Sequence, residues 1–220
     1  MNKKLIFPIL VLALLISTLT DAQVIMRKRA GGRIGPKPRQ RISQNLPKFK
    51  PTVNISIGYG FPNLDKTYLP DYYDAYKGDI SQTGPVIGSL DYQFSRRMSI
   101  GVIITHGSVS APYYGYYSSS SLPVFTTKFD NWSFMLNMVR YIPVSYKITP
   151  YIRTAIGVNS WKQEYTDAED NKVLVEHVDL PDLAYQVGLG AKFNLSKNAA
   201  LFVEAGYGKY ILNGGLSLKF

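Results

Sequence analysis

His106 and His177 are the only imidazoles in the 220 residues and there is no cysteine, so base, thiolate and metal chemistry has few places to occur. His106 and Ser108 are two residues apart and share one parity of a strand pattern. A hydroxyl beside a base is the start of a nucleophile, but the base must itself be oriented by a third group. No outward, mid-strand acid clearly supplies it, so the pair reads as a headgroup-level histidine and a loop serine. His177 lies in a stretch holding Asp167, Glu169, Asp170, Glu176, Asp179 and Asp182. Carboxylates suit hard cations, yet the spacing matches no calcium loop, and the stretch reads as a solvated acidic loop. No phosphate-binding glycine motif or zinc spacing is present, and no cofactor is expected. Two acids and two bases remain, Asp91, Glu204, Arg153 and Lys192, each inside a strand-like segment on its less apolar side.

The elements that would position these groups are strands. Val53, Ile55, Ile57 and Tyr59 alternate with Asn54, Ser56, Gly58 and Gly60; Val86, Leu90, Tyr92 and Phe94 repeat the pattern with Asp91 on the other face. Further strands are expected over Met98 to His106, about Val124 to Val139, Tyr151 to Ser160, Leu183 to Phe193, Ala199 to Tyr207 and Tyr210 to Phe220. Connections alternate between long (from Phe61, from Gly107, from Trp161) and short (Ser95 to Arg97, Ile142 to Pro150, Asn194 to Asn198), apart from a very short last one at Gly208 and Lys209. Eight antiparallel strands with alternating loop lengths are the arrangement of an up-and-down transmembrane barrel.

Alternation alone does not say which face is inside. The less apolar face decides: on seven of the eight strands its only charged members are Asp91, Arg153, Lys192, Glu204 and Lys219. A water-facing surface carries roughly 25–35% charge. Gly58, Gly101, Gly157, Gly188, Gly190 and Gly206 suit a crowded lumen instead. The four lumen charges would form a filling ion-pair and hydrogen-bond network, because an unpaired charge is costly there and eight strands leave room only for side chains.

Charge is unevenly divided. Residues 51–220 hold fourteen bases and fourteen acids, whereas nine bases and no acid lie between Gln23 and Lys50. Arg27, Lys28, Arg29, Arg33, Lys37, Arg39 and Arg41, with Lys48 and Lys50, make that stretch, with its Gly and Pro, a flexible basic arm. Ahead of it, Lys3 and Lys4, the apolar run Leu5 to Ile16 and small residues up to Ala22 form a secretory signal, with cleavage between Ala22 and Gln23. The expected organisation is a signal peptide over 1–22, a disordered periplasmic arm over 23–51 and an all-β barrel over 52–220. Export removes nucleic acid as a partner; the arm could meet an acidic periplasmic protein or the inner leaflet. Tyrosines gather in the first two long loops, with Tyr72, Tyr73, Tyr113, Tyr114, Tyr116 and Tyr117 as contact candidates, although girdle and loop packing is the favoured use of such rings. Trp132 and Trp161 fit an interfacial belt.

Residues 52–220 resemble the small eight-stranded OmpA/OmpX-type outer-membrane barrel family. The likeness rests on the segments PYIRTAIGVNSW (Pro150 to Trp161), LAYQVGLGAKFNLSKN (Leu183 to Asn198) and LFVEAGYG (Leu201 to Gly208), with Glu204 at the inward position. It also rests on a terminal strand whose Leu216, Leu218 and Phe220 share one face. The resemblance implies that this strand is read by the barrel assembly machinery, that lipid surrounds the barrel, and that both termini are periplasmic. It implies a non-enzymatic structural, surface-contact or assembly-accessory role, with an accessory barrel of an outer-membrane secretion or uptake complex as the first alternative. The second alternative comes from outer-membrane lipid A deacylases, whose His-x-Ser pair resembles His106 and Ser108.

Overall fold

The computed structural model describes residues 49–115, 122–142, 147–169, 171–173 and 178–220. The expected signal peptide, its cleavage site and nearly all of the basic arm lie outside the described residues, as do Tyr116, Tyr117 and His177.

Strands β1 (Thr52–Asn63), β3 (Ser81–Gln93), β4 (Met98–Gly115), β5 (Phe125–Tyr141), β6 (Ile148–Thr166), β7 (Leu183–Asn194), β8 (Ala199–Tyr207) and β9 (Tyr210–Lys219) form one antiparallel sheet; a three-residue β2 (Ala75–Lys77) pairs with the far end of β4. Apart from β2, each strand pairs with the next one along the chain, and β9 pairs with β1, so these eight strands close into a barrel. Val53 and Phe220 exchange both backbone hydrogen bonds at the closure, 3.1 and 2.8 Å. Closure satisfies the ladder groups that an open sheet would leave unpaired. Short turns sit at the end that carries Thr52 and Phe220. The opposite end carries the longer crossings, including a 3-10 turn at Leu64–Tyr68 and β2.

Several strands outrun their sequence pattern. β4 continues nine residues past His106, and β6 runs six past Ser160. The reason is visible in the register: beyond the row His106, Trp132, Ser160, the outward positions become Ser108, Asp130 and Lys162, then Ser110, Lys128 and Glu164. Once the outer face is polar, apolar alternation disappears although the hydrogen-bond ladder goes on. Tyr113 and Tyr114 therefore belong to β4 rather than to a loop.

Tyr210 also differs from expectation. It shares parity with Leu212 in the sequence, yet it is fully buried inside while Leu212 faces out. The β1–β9 register is unbroken from Phe61↔Leu212 to Asn63↔Tyr210, but the in–out alternation shifts phase there on both strands, with Ile211 and Leu212 both exposed on the outside. The short turn at Gly208, whose φ of +140° suits glycine, then brings Lys209 inward as well.

Candidate functional site

The barrel is inverted relative to a water-soluble protein. Its inward positions include the buried polar residues Asn54, Ser56, Ser89, Asp91, Ser99, Asn137, Arg153, Gln186, Lys192, Glu204 and Ser217 beside an apolar cluster of Ile87, Ile103 and Met135, whereas Ile55, Ile57, Leu136, Ile156, Leu189, Val203 and Leu216 are exposed on the outside.

Glu204 is the centre of the lumen. β8 points it inward opposite Gly190 and next to Gly188, where a Cβ would press on its carboxylate, so the missing side chains make the space it occupies. Tyr151 Oη and Tyr210 Oη donate to its two oxygens at 2.9 and 2.8 Å, and Arg153 Nε lies 3.0 Å from Oε2 as an ion pair. Gly190 is again required, because a Cβ there would overlap the Tyr151 ring. Asp91 does not pair directly with a base. It accepts from Asn137 Nδ2 at 2.7 Å and from Ser89 Oγ at 3.2 Å. Lys192 donates to Ser217 Oγ at 3.2 Å and sits 5.4 Å from the Tyr141 ring centre. Of the four charges expected to form one network, only Arg153 and Glu204 meet; tyrosine, asparagine and serine serve the others. Tyr151 was legible as a lumen residue, being two positions from Arg153 on a strand, whereas Tyr210 was hidden by the phase slip.

A second buried pair closes the opposite end. Asp65, carried by the 3-10 turn, accepts from Lys209 Nζ at 2.9 Å and from Asn131 Nδ2 at 2.9 Å, while its backbone N–H donates to Asn63 Oδ1 at 3.1 Å. Lys209 also lies 5.1 Å from the Trp161 ring. Trp161 is thus turned inward, its Nε1 donating to the Pro181 carbonyl at 3.0 Å, and it does not join an outer belt; Trp132 does face out. The reason is parity: Trp161 is an even number of residues from Arg153, and so shares its face. Above this pair, Leu69, Val109, Ala111, Tyr113, Phe129 and Tyr165 form an apolar cap. Neither Asp65 nor Lys209 carried a sequence signal, since each sits in an irregular connection.

Of the tyrosines proposed as contacts, Tyr113 is wholly buried, stacked on Phe125 and donating to the Pro70 carbonyl at 2.6 Å, so it is part of the cap. Tyr72 packs edge-on against Tyr113 and Phe125, and burial raises its phenol above the ordinary range. Tyr114 stacks on Tyr76, and among the described contact candidates only Tyr73 is fully exposed. In the third long connection, Asp167 accepts from the Asn171 backbone and side chain, which lowers its carboxyl below the usual range.

His106 and Ser108 both face outward on β4. The His106 ring stacks on Trp132 with centroids 4.3 Å apart, and its Nδ1 has no hydrogen-bond partner. Asp130 stands opposite Ser108 on β5, but its carboxylate is 3.3 Å from Lys128. Among the described residues no hydrogen bond links the histidine to the serine or to an acid, and no group of metal-ligating side chains occurs.

No protein-family model and no curated relative matches the sequence. Among solved structures, the chain is similar to a de novo designed transmembrane β-barrel (18% identity, 77% of this chain and 94% of that one, TM-score 0.40). It is similar to Ail, the attachment invasion locus protein of Yersinia pestis, solved with the heparin analogue sucrose octasulfate (13%, 77% and 97%, TM-score 0.42). It is also similar to the outer membrane protein OprG of Pseudomonas aeruginosa (11%, 77% and 95%, TM-score 0.38).

Proposed function

We propose that this protein is an integral outer-membrane β-barrel with a filled lumen and a non-enzymatic structural, surface-contact or assembly-accessory role. The observation that carries this reading is the set of aligned outer rows on β4, β5 and β6. Ile104, Phe134 and Val158 stand in one row, with Val102, Leu136 and Ile156 in the next; both lie on the same side of the row His106, Trp132, Ser160, and polar rows lie on the other. A flat boundary between greasy and polar rows, marked by Trp132, is what a bilayer edge requires and what a soluble barrel has no reason to have. β8 and β9, at 9 and 10 residues, have the length that a tilted spanning strand needs, about 9–11 residues. The 17 to 19 residues of β4 to β6 would carry a three-stranded flap beyond the membrane.

Residues Leu216, Leu218 and Phe220 lie outward, available to lipid and to the assembly machinery. The short turns at the end that carries Phe220 support an orientation with both termini periplasmic, which would make the Tyr73 loop and the flap the extracellular contact surfaces. The Glu204 cluster and the Asp65–Lys209 pair block the interior at two levels, which argues against a wide pore. The protein should shift its mobility on gels when heated, and should give no steady, large conductance in planar bilayers. Such channels from purified protein would overturn the filled-lumen reading, and unchanged lipid A in its presence is the outcome expected of a non-enzyme.

A further inference from the structure

Among the described residues the lumen has an open recess at the end shared by Thr52 and Phe220. It is a cavity of about 390 Å³ lined by Asn54, Arg96, Lys192, Lys197 and Lys219, among others, and no carboxylate lines it. A space that size is far above the roughly 10–15 Å³ that admits one water, so it is wet. Two of its walls are built rather than incidental. Lys192 and Asn54 are both more than nine-tenths buried. The Lys192 ammonium has three donors and spends one on Ser217 Oγ. Asn54 Nδ2 has no hydrogen-bond partner at all. Buried donors without acceptors are costly; Asn54 Nδ2 is closed off from solvent, whereas Lys192 lines a chamber whose remaining charges are also positive. Among the described residues no carboxylate lies within ion-pair distance of Lys192, Lys197 or Lys219, and the terminal Phe220 is held in the ladder against Val53.

We propose that this recess binds a phosphate-type oxyanion, free or as the head of a small phosphomonoester, with Lys192 donating from the floor and Lys197 and Lys219 supplying charge at the rim. An oxyanion has the several acceptor oxygens that these donors lack. The chain's own arm is no candidate occupant, being itself basic. Bilayer lipid is separated from the recess by the barrel wall, so the ligand arrives from the aqueous side. The proposal rests on the barrel end alone, whichever compartment that end faces.

The test is calorimetric titration of the full chain, folded in an uncharged maltoside detergent, with inorganic phosphate and separately with glycerol 3-phosphate. Saturable binding of either is expected, and the comparison tells a free ion from a monoester. Lys192→Met should weaken it by about tenfold to a hundredfold, the usual effect of removing a charge-assisted donor. The rim variant carrying Lys197→Gln and Lys219→Gln, which touches no buried group, should weaken it several-fold and flatten its salt dependence. Heat-shifted gel mobility shows which variants are folded. If Lys192→Met does not fold, the rim variant decides. Absence of saturable binding by the unaltered chain, or unchanged affinity in the folded variants, would overturn the proposal.

Discussion

Leu136 offers the sharpest test of which face meets lipid. It lies midway along the greasy part of β5, four residues from Trp132 at one boundary and four from Arg140 at the other, and is 66% exposed. At about 3.3 Å per residue and a tilt near 40°, that places it about 10 Å from either edge, close to the bilayer midplane. An arginine at such a depth costs about 2–4 kcal/mol, while one near the interface costs about 0–1. Leu136→Arg should therefore reduce the folding equilibrium constant by about 30-fold to 1,000-fold. Ser110→Arg, two rows beyond the His106 boundary on the same face of β4, should change little. The assay is denaturant unfolding in phospholipid vesicles, read from the midpoint at constant slope. On a soluble barrel both substitutions would sit on a wetted surface and fall within about 0.5 kcal/mol of the starting protein. Equal, small effects at the two positions would refute the lipid-facing assignment.

Three further outcomes are expected. Glu204→Gln should destabilise by about 3–5 kcal/mol, because Arg153 is left buried without its counter-charge, and adding Arg153→Met should recover much of the loss; additive losses in that double-variant cycle would remove the ion pair from the account. Gly190→Val should cost about 1–3 kcal/mol through overlap with the Tyr151 ring, whereas Gly88→Ala, where a Cβ meets no atom within 4 Å, should be tolerated; unfolding midpoints of the two decide. Asp167 should titrate in NMR below the usual aspartate value. A lowered folded value means that its turn is favoured above the unfolded pKa and is lost as pH falls through the folded one, so the Asn171 amide signal should move in that acidic range and not near neutrality.

The rows of β7, β8 and the outer part of β9 were legible because a strand with an apolar outer face and packed polar groups on the inner one alternates residue by residue. The same rule put Asp91, Arg153, Lys192 and Glu204 on one face. It failed where its physical basis ceases: on the flap, where the outer face is polar and Tyr113 is hidden inside, and at Tyr210, where a phase slip in paired strands exchanges the faces. Trp161 was an error of another kind, since its parity with Arg153 already placed it inward.

The sequence by itself determined the faces of most strands, the neutrality of residues 51–220 against the basic stretch before them, and the inventory of lumen charges. Only the tertiary structure decided which of those charges meet. Glu204 finds Tyr151 and Arg153 from β6 and Tyr210 from β9, and Lys209 reaches Asp65 across 144 positions of chain. Side-chain direction is a local property of the backbone, but partnership across a lumen depends on the stagger accumulated around all eight strands at closure, which no single segment encodes.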